Sequence, residues 1–317
     1  MATSNDMQVI FGTGPLGLSV MRELVRQGKR VRMVNGRGKA DLPAGVELIA
    51  SDAYLVENTR RVTEGAAVVY QCAQPRYHEW AEKFPALQAS ILEGAAANGA
   101  KLVIGENLYM YGEVDGPIHE GRPYNATTRK GKTRAQMAEA ALTAHRDGKL
   151  KVTIGRGSDF FGPQVLDSSL GERVFAPALQ GKTASATGSL DLPHTYTYID
   201  DFGKALVSLG EDEEALGRAW HVPNAEPLTQ RQLITMIFDE IGRSPRMSGM
   251  GKFMLRIGGL FIPEARETVE MMYEFEKPFI VDDSQYKRTF GDHATPLRDA
   301  IRATVAWYRQ HLQADTA

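Results

Sequence analysis

The sequence predicts an α/β fold, a doubly wound parallel sheet joined to a smaller C-terminal subdomain. Three observations carry this. Short β-branched runs alternate with longer stretches of helical periodicity through the first half, the rhythm of strands joined by crossover helices. The first such run passes at once into a glycine-rich turn. Beyond Gly162 the rhythm loosens under repeated glycines and prolines, as expected where a more irregular layer of chain begins.

Taken in order, Met7 to Phe11 is the first predicted strand, and Leu18, Met21, Leu24 and Val25 then recur at helical spacing. Arg30–Val34, Val46–Ala50 and Ala67–Ala73 follow as the second to fourth strands. A helix over Glu79–Asn98 presents Trp80, Phe84, Leu87, Ile91 and Leu92 on one face, the stripe a core-facing helix needs. Lys101–Glu106 and Lys151–Arg156 read as the fifth and sixth strands, with an Ala-rich helix over Gly131–His145 between them. In the second half, helices are expected near Thr229–Ile241 and Thr295–Leu312.

The composition bounds the function. With 43% hydrophobic and 24% charged residues in 317, the chain is an ordinary globular one with ample core. A net charge of -2 argues against a protein built to hold nucleic acid. Cys72 is the single cysteine, so neither an intrachain disulfide nor a multi-thiolate metal site can form, and a reducing compartment is favoured. The start, Met1 to Met7, is polar and shows no signal peptide. No apolar run approaches the roughly 20 residues of a membrane span; the nearest, Phe253–Ile262, is broken by Arg256 and a glycine pair. These features predict a soluble, cytoplasmic protein with neither nucleic-acid nor membrane partner. The seven histidines lack metal-binding spacing, and neither a Gly-x-Ser-x-Gly elbow nor a P-loop occurs.

The turn Gly12-Thr13-Gly14-Pro15-Leu16-Gly17 follows an apolar strand and opens an amphipathic helix. In that setting Gly12 permits the tight turn, Gly14 lets backbone approach a pyrophosphate, and Gly17 lets helix pack on strand. The helix N-terminus offers N–H groups to the phosphates. A Rossmann-type dinucleotide site is therefore expected, with residues 1–162 as its domain. Residues 163–317 are then mainly a substrate-binding subdomain, some segments returning to the Rossmann core. At the end of the second strand the chain has Asn35-Gly36-Arg37-Gly38-Lys39 in place of an acidic residue. Arg37 can pair with a 2′-phosphate, so NADP is expected over NAD. Asp52, Ala53, Cys72, Ala73 and Gln74 follow the third and fourth strands and are expected to line the cofactor cleft.

Further landmarks are Ser51-Asp52-Ala53, Tyr70 to Gln74, Tyr109-Met110-Tyr111-Gly112, Arg156 to Pro163, Thr197 to Asp201, and Thr295 to Tyr308. In order and spacing they resemble the extended short-chain dehydrogenase/reductase group, also called the NAD-dependent epimerase/dehydratase family. The turn looks like that of its atypical branches, since Phe11 stands where the extended type has glycine. The resemblance implies a hydroxyl residue before Tyr111-Gly112 and a Tyr-x-x-x-Lys pair on the next helix. This chain has Asn107, then Lys130 and Arg134, at those places.

Three readings of Lys130 and Arg134 stand open. Lys130 can be a tuned acid/base, its ammonium destabilised by Arg134 and by desolvation. Arg129, Lys130, Lys132 and Arg134 can together bind an anion at a helix start. Or they are solvated cations. Tyr109, Tyr111 and Tyr124 lie near the mouth of the fifth strand, and Tyr109 and Tyr111 would share a side if the strand ran on. Either can replace the missing phenol, and Asn107 can hydrogen-bond a substrate oxygen. Tyr111, Ser158, His194 and Tyr196 are the substrate-side candidates, and Arg173, Arg246 and Arg266 could meet an anionic substrate. The resulting expectation is an NAD(P)-dependent oxidoreductase or epimerase acting on a carbonyl or secondary alcohol of a small molecule, as a homodimer by default. The alternative is a catalytically silent NADP-binding regulator or redox sensor.

Overall fold

In the computed structural model, residues 7–251 and 269–314 are described; the Phe253–Ile262 run and Arg266 lie outside them. Strands β1 (Met7–Phe11), β2 (Arg30–Asn35), β3 (Glu47–Ala50), β4 (Ala66–Gln71), β5 (Lys101–Glu106) and β6 (Val152–Arg156) alternate with helices. These are α1 (Pro15–Arg26), α2 (Val56–Val62), α3 (Trp80–Ala97) and α4 (Arg129–Arg146). Next come β7 (Asp159–Phe161), α5 (Glu172–Leu179), β8 (Ala184–Thr187), β9 (Pro193–His194) and β10 (Tyr196–Tyr198). Then follow α6 (Ile199–Glu211), β11 (Ala219–His221), β12 (Leu228–Thr229), α7 (Gln230–Glu240) and β13 (Met247–Met250), and two later helices span Ser284–Phe290 and Leu297–Ala314.

The chain forms two compact units. The first takes the residues up to Met110, Arg129–Arg156 and Phe202–Val222. Its seven strands run in the order β11-β6-β5-β4-β1-β2-β3, each pair parallel. Such a sheet is covered on both faces, so its strands are continuous apolar runs: Val9, Ile10, Val69, Leu102, Val103, Ile104 and Ile154 are all fully buried. The strand order reverses between β1 and β4, the switch point outside which ligands of such sheets bind.

Helices α2 and α6 and strand β11 are absent from the sequence reading, α2 and β11 because of their length. Helix α2 is seven residues long and β11 three, each shorter than the window a period needs. Helix α4 is Ala-rich as expected, but its buried stripe begins with charge: Lys130, Thr133 and Arg134 precede Met137, Ala138, Ala141 and Ala144.

The second unit takes Tyr111–Thr128, Gly157–Asp201 and the residues from Pro223 onward. Its described residues hold three two-stranded sheets, β7 with β10, β9 with β12 and β8 with β13. Its core joins α5, α7 and the Leu297–Ala314 helix: Phe175 stacks on Tyr308 at 5.1 Å, among Leu233, Ile237, Ile301 and Val305. Helix α7 is started by a capping box between Thr229 and Gln232, which satisfies two otherwise orphaned donors. Among the described residues no helix is long and apolar enough to cross a membrane. None of them gather as three or more metal-ligating side chains either.

Candidate active site

The three glycines of the first turn are required for three different reasons. At Gly12, with φ +105°, an added Cβ would lie 2.8 Å from Ala73 N, so the turns after β1 and β4 touch. At Gly17 it would lie 2.1 Å from Gly12 O, because α1 packs directly on the turn. At Gly14 it would meet nothing within 4 Å; there the backbone faces open space. Helix α1 begins with Pro15 and has Gly14 as an N-cap without a side-chain cap, and its first turn holds no acidic residue. Leu16 packs its side chain on Gly105 of β5. The N–H groups of this first turn are thus left to a ligand, and the charge there suits an anion. This cradle fits the pyrophosphate of a dinucleotide.

Asn35, at the end of β2, organises the next turn. Its Oδ1 accepts from Arg37 N at 2.9 Å and Gly38 N at 2.6 Å. Its Nδ2 donates to Thr13 Oγ1 at 2.9 Å and to Lys39 O at 3.1 Å, tying this turn to the glycine turn. Arg37 itself is exposed. Asp52 is exposed too, its Oδ1 accepting from Tyr54 N at 3.0 Å, and Ala53 is half-buried beside it. Cys72 N donates to Phe11 O at 2.9 Å, which carries the β1–β4 pairing to the edge of the turn. Cys72 and Ala73 are half-buried and Gln74 is exposed.

Strand β5 ends at Glu106, and Tyr109–Tyr111 form a 3-10 turn. The expectation that Tyr109 and Tyr111 share one strand face is therefore corrected: the backbone coils before reaching them. Asn107 drives the turn, its Oδ1 accepting from Tyr109 N at 3.3 Å. Glu106 and Arg156 are register partners at the ends of β5 and β6. Glu106 Oε2 accepts from Arg156 Nε at 2.9 Å, and Glu106 Oε1 lies 3.2 Å from Arg134 Nη2. All three side chains are buried. Burial pulls the Arg134 guanidinium below its ordinary range, while Glu106 opposes the shift.

Lys130 has a different neighbourhood. Its Nζ sits 4.5 Å from the centroid of the Tyr77 ring, and Tyr77 Oη is 3.2 Å from Tyr109 Oη. Arg129 and Lys132 at the helix start are exposed, whereas Lys130 and Arg134 are each 1% exposed, so the solvated reading does not describe those two. Sequence reasoning missed Tyr77, Glu106 and Arg156. A visible signal existed for the latter two, since each ends an apolar strand with a charge.

The remaining candidates belong to the second unit. Tyr111 is fully buried, edge-on to Tyr124 at 5.8 Å. Ser158 Oγ donates to Thr195 O at 2.6 Å and its N–H to Thr197 Oγ1 at 2.8 Å, so the residue knits backbone. His194 is 2% exposed; its Nε2 is 2.8 Å from Asp159 Oδ2, and its ring stacks on Phe275 and Phe279. Tyr196 packs on it at 4.6 Å, with its hydroxyl buried and without a hydrogen-bond partner among the described residues. Burial pushes the Tyr196 phenol well up. Burial, then the nearby Asp159, pushes the Glu274 carboxyl well above the usual range. Arg173 and Arg246 are exposed.

A family model described as the NAD dependent epimerase/dehydratase family matches residues 9–222. The chain is 23% identical over 231 residues to a dTDP-glucose 4,6-dehydratase of Streptomyces griseus, covering 70% of this chain and 63% of the other. The match thus spans less than two thirds of that relative. Among solved structures, a dTDP-glucose 4,6-dehydratase from Streptomyces venezuelae with NAD bound superposes with a TM-score of 0.79 at 17% identity, over 97% of this chain and 98% of that one. A UDP-glucuronic acid 4-epimerase from Bacillus cereus in complex with NAD gives 0.76 at 16%, over 96% and 99%. At such identities the likeness establishes the fold. It also corrects the NADP expectation: both of these structures hold NAD, and the Arg37 on which NADP rested is an exposed turn residue.

Proposed function

The chain belongs to the NAD dependent epimerase/dehydratase family, and on that footing we propose that it is an NAD-dependent enzyme acting at a carbonyl or secondary alcohol of a small molecule, of the nucleotide-linked sugar class. The observation that carries this is the glycine cradle, in which Gly14 alone faces open space beside a helix start without an acidic residue or a side-chain cap. NAD, when bound, supplies the hydride acceptor and donor. The first-turn N–H groups of Leu16 and Gly17 would hold its phosphates, and Pro15, with no N–H to lose, starts the helix. The turns bearing Asn35, Asp52, Ala53, Cys72, Ala73 and Gln74 line the rest of the cofactor's bed.

Hydride transfer to a carbonyl leaves charge on oxygen, so a proton must reach that oxygen as hydride arrives. Either Tyr109 or Lys130 gives and takes it, and Asn107 presents its amide N–H to the same oxygen. A nucleotide-linked sugar is anionic, and a cytoplasmic homodimer is the setting we infer, from the single cysteine and the prevalence of two-fold assembly.

The arginine in place of the expected lysine, locked against Glu106, favours a second reading, a catalytically silent dinucleotide-binding regulator or redox sensor. One experiment divides the two. Calorimetric titration with NAD is followed by a turnover screen on UDP-glucose and dTDP-glucose. Binding with turnover is expected. Binding without turnover on these or a wider panel of carbonyl compounds favours the silent reading, and no binding at all removes both.

A further inference from the structure

Tyr77 follows β4 and Tyr109 follows β5, adjacent strands of the sheet. Both are at the carboxyl edge, on the β4 side of the switch point. Their hydroxyl oxygens are 3.2 Å apart, so one donates to the other. A buried platform fixes both rings. Trp80 stands edge-on to Tyr77 at 5.1 Å and tilts against Tyr109 at 5.9 Å, and its Nε1 donates to Pro75 O at 3.2 Å. Phe84 backs Trp80 at 5.3 Å, with the Arg134 guanidinium 4.6 Å from the Phe84 ring. Tyr77 and Tyr109 are themselves only half-buried.

Resting on the enzyme reading above, we propose that Tyr77 and Tyr109 are a two-phenol proton relay in which Tyr109 exchanges a proton with the substrate oxygen and Tyr77 passes it to and from solvent. As negative charge develops on the substrate oxygen, the Tyr109 O–H bond breaks and its proton moves there. The Tyr77 proton moves to the Tyr109 oxygen, and Tyr77 takes one from water. Net, one proton passes from water to substrate and both phenols are restored; the oxidising direction reverses each transfer. Lys130 is then a positioning residue rather than the proton donor. Its ammonium, 1% exposed and set over the Tyr77 ring, stabilises negative charge on the phenol pair.

The charges around the pair agree with this. From α4 come Lys130 and Arg134, the latter packed on the Trp80 and Phe84 rings behind the pair. Glu106 of β5 is shared between Arg134 and Arg156, so that three-residue cluster carries one net positive charge, and Lys130 adds its own over the Tyr77 ring. On the turn of Tyr77 itself lie Arg76, His78 and Glu79, and Glu79 is paired with Lys83. Two coupled hydroxyls beside cations lose their first proton as a unit, and the second is held back.

The test is a near-ultraviolet tyrosinate titration of the cofactor-free protein. We expect one tyrosine to ionise at roughly tenfold lower hydroxide concentration than an ordinary tyrosine. Tyr109→Phe abolishes that early step. Tyr77→Phe and Lys130→Met delay it, whereas Lys130→Arg, which keeps the cation, preserves it. A parent protein with no early tyrosine overturns the relay, as does an early tyrosine that survives Tyr109→Phe. Calorimetry with NAD on the same proteins separates the two levels. NAD binding without an early tyrosine sinks the relay alone, and absence of NAD binding in the parent sinks the enzyme reading together with the relay.

Discussion

Arg134 and Glu106 meet at 3.2 Å with side chains 2% and 0% exposed, and the same carboxylate accepts from Arg156. One acid thus joins α4, β5 and β6. Removing one partner of a buried ionic pair costs about 3–5 kcal/mol, because the other charge is left buried and uncompensated. Glu106→Gln takes the shared charge from two buried guanidiniums and is expected to lower unfolding free energy by that amount. Arg134→Met leaves Glu106 paired with Arg156 and is therefore expected to cost less than Glu106→Gln, which leaves two buried guanidiniums without a carboxylate. Urea unfolding of both variants decides; equal losses would refute the shared-carboxylate account.

The glycine turn predicts a dissociation of stability from binding. Gly14→Ala adds a methyl group into open space, so the protein should keep its stability within about 1 kcal/mol. NAD affinity should nevertheless fall at least tenfold, about 1.4 kcal/mol. Gly17→Ala places a methyl group 2.1 Å from Gly12 O and is expected to cost about 1–3 kcal/mol of stability as well. Thermal melts beside calorimetric titration read both effects.

Arg37→Ala is expected to change NAD affinity by less than about 0.5 kcal/mol, the range of exposed substitutions. The parent protein should bind NAD more tightly than NADP. A tenfold loss of NAD affinity in the variant would return Arg37 to the cofactor's contacts.

Glu274 predicts the pH dependence of the second unit. Its folded carboxyl holds its proton well above the usual range because it is buried near Asp159. Its unfolded value is near pH 4.3, so between the two values the folded state binds more protons and stability falls as pH rises. The contribution is whole below about pH 4 and is lost as pH climbs through the folded value. Glu274→Gln keeps a neutral side chain and should flatten this decline above about pH 5. An unchanged slope in urea midpoints against pH would count against it.

What the sequence showed and hid follows from the range of the forces involved. The strand ends and the glycine turn are local, set by side-chain alternation and by backbone that only glycine can adopt, and they were legible to within a few residues. Lys130 and Arg134 were legible as a pair at one helix face, but their partners come from β5, β6 and the turn after β4. No spacing rule reaches Tyr77, which meets Tyr109 only because β4 and β5 are neighbours in the sheet. Arg37 misled because a charge in a turn does not say where its side chain points. His194 could be read from the sequence as structural or ligand-facing, and its stacking on Phe275 and Phe279 depends on chain from far downstream.

The interleaving of the two units has a consequence for how the protein is made. A ribosome delivers chain from the N-terminus, and β11, at Ala219–His221, completes the seven-stranded sheet. The first unit therefore has all its strands while the helices that close the second are still unsynthesised. The core of the second unit needs Tyr308, which stacks on Phe175 and donates to Val165 O. Until that residue emerges, the nascent chain exposes the faces of α5 and α7 that it will cover, and it is in this interval that we expect a chaperone to be needed.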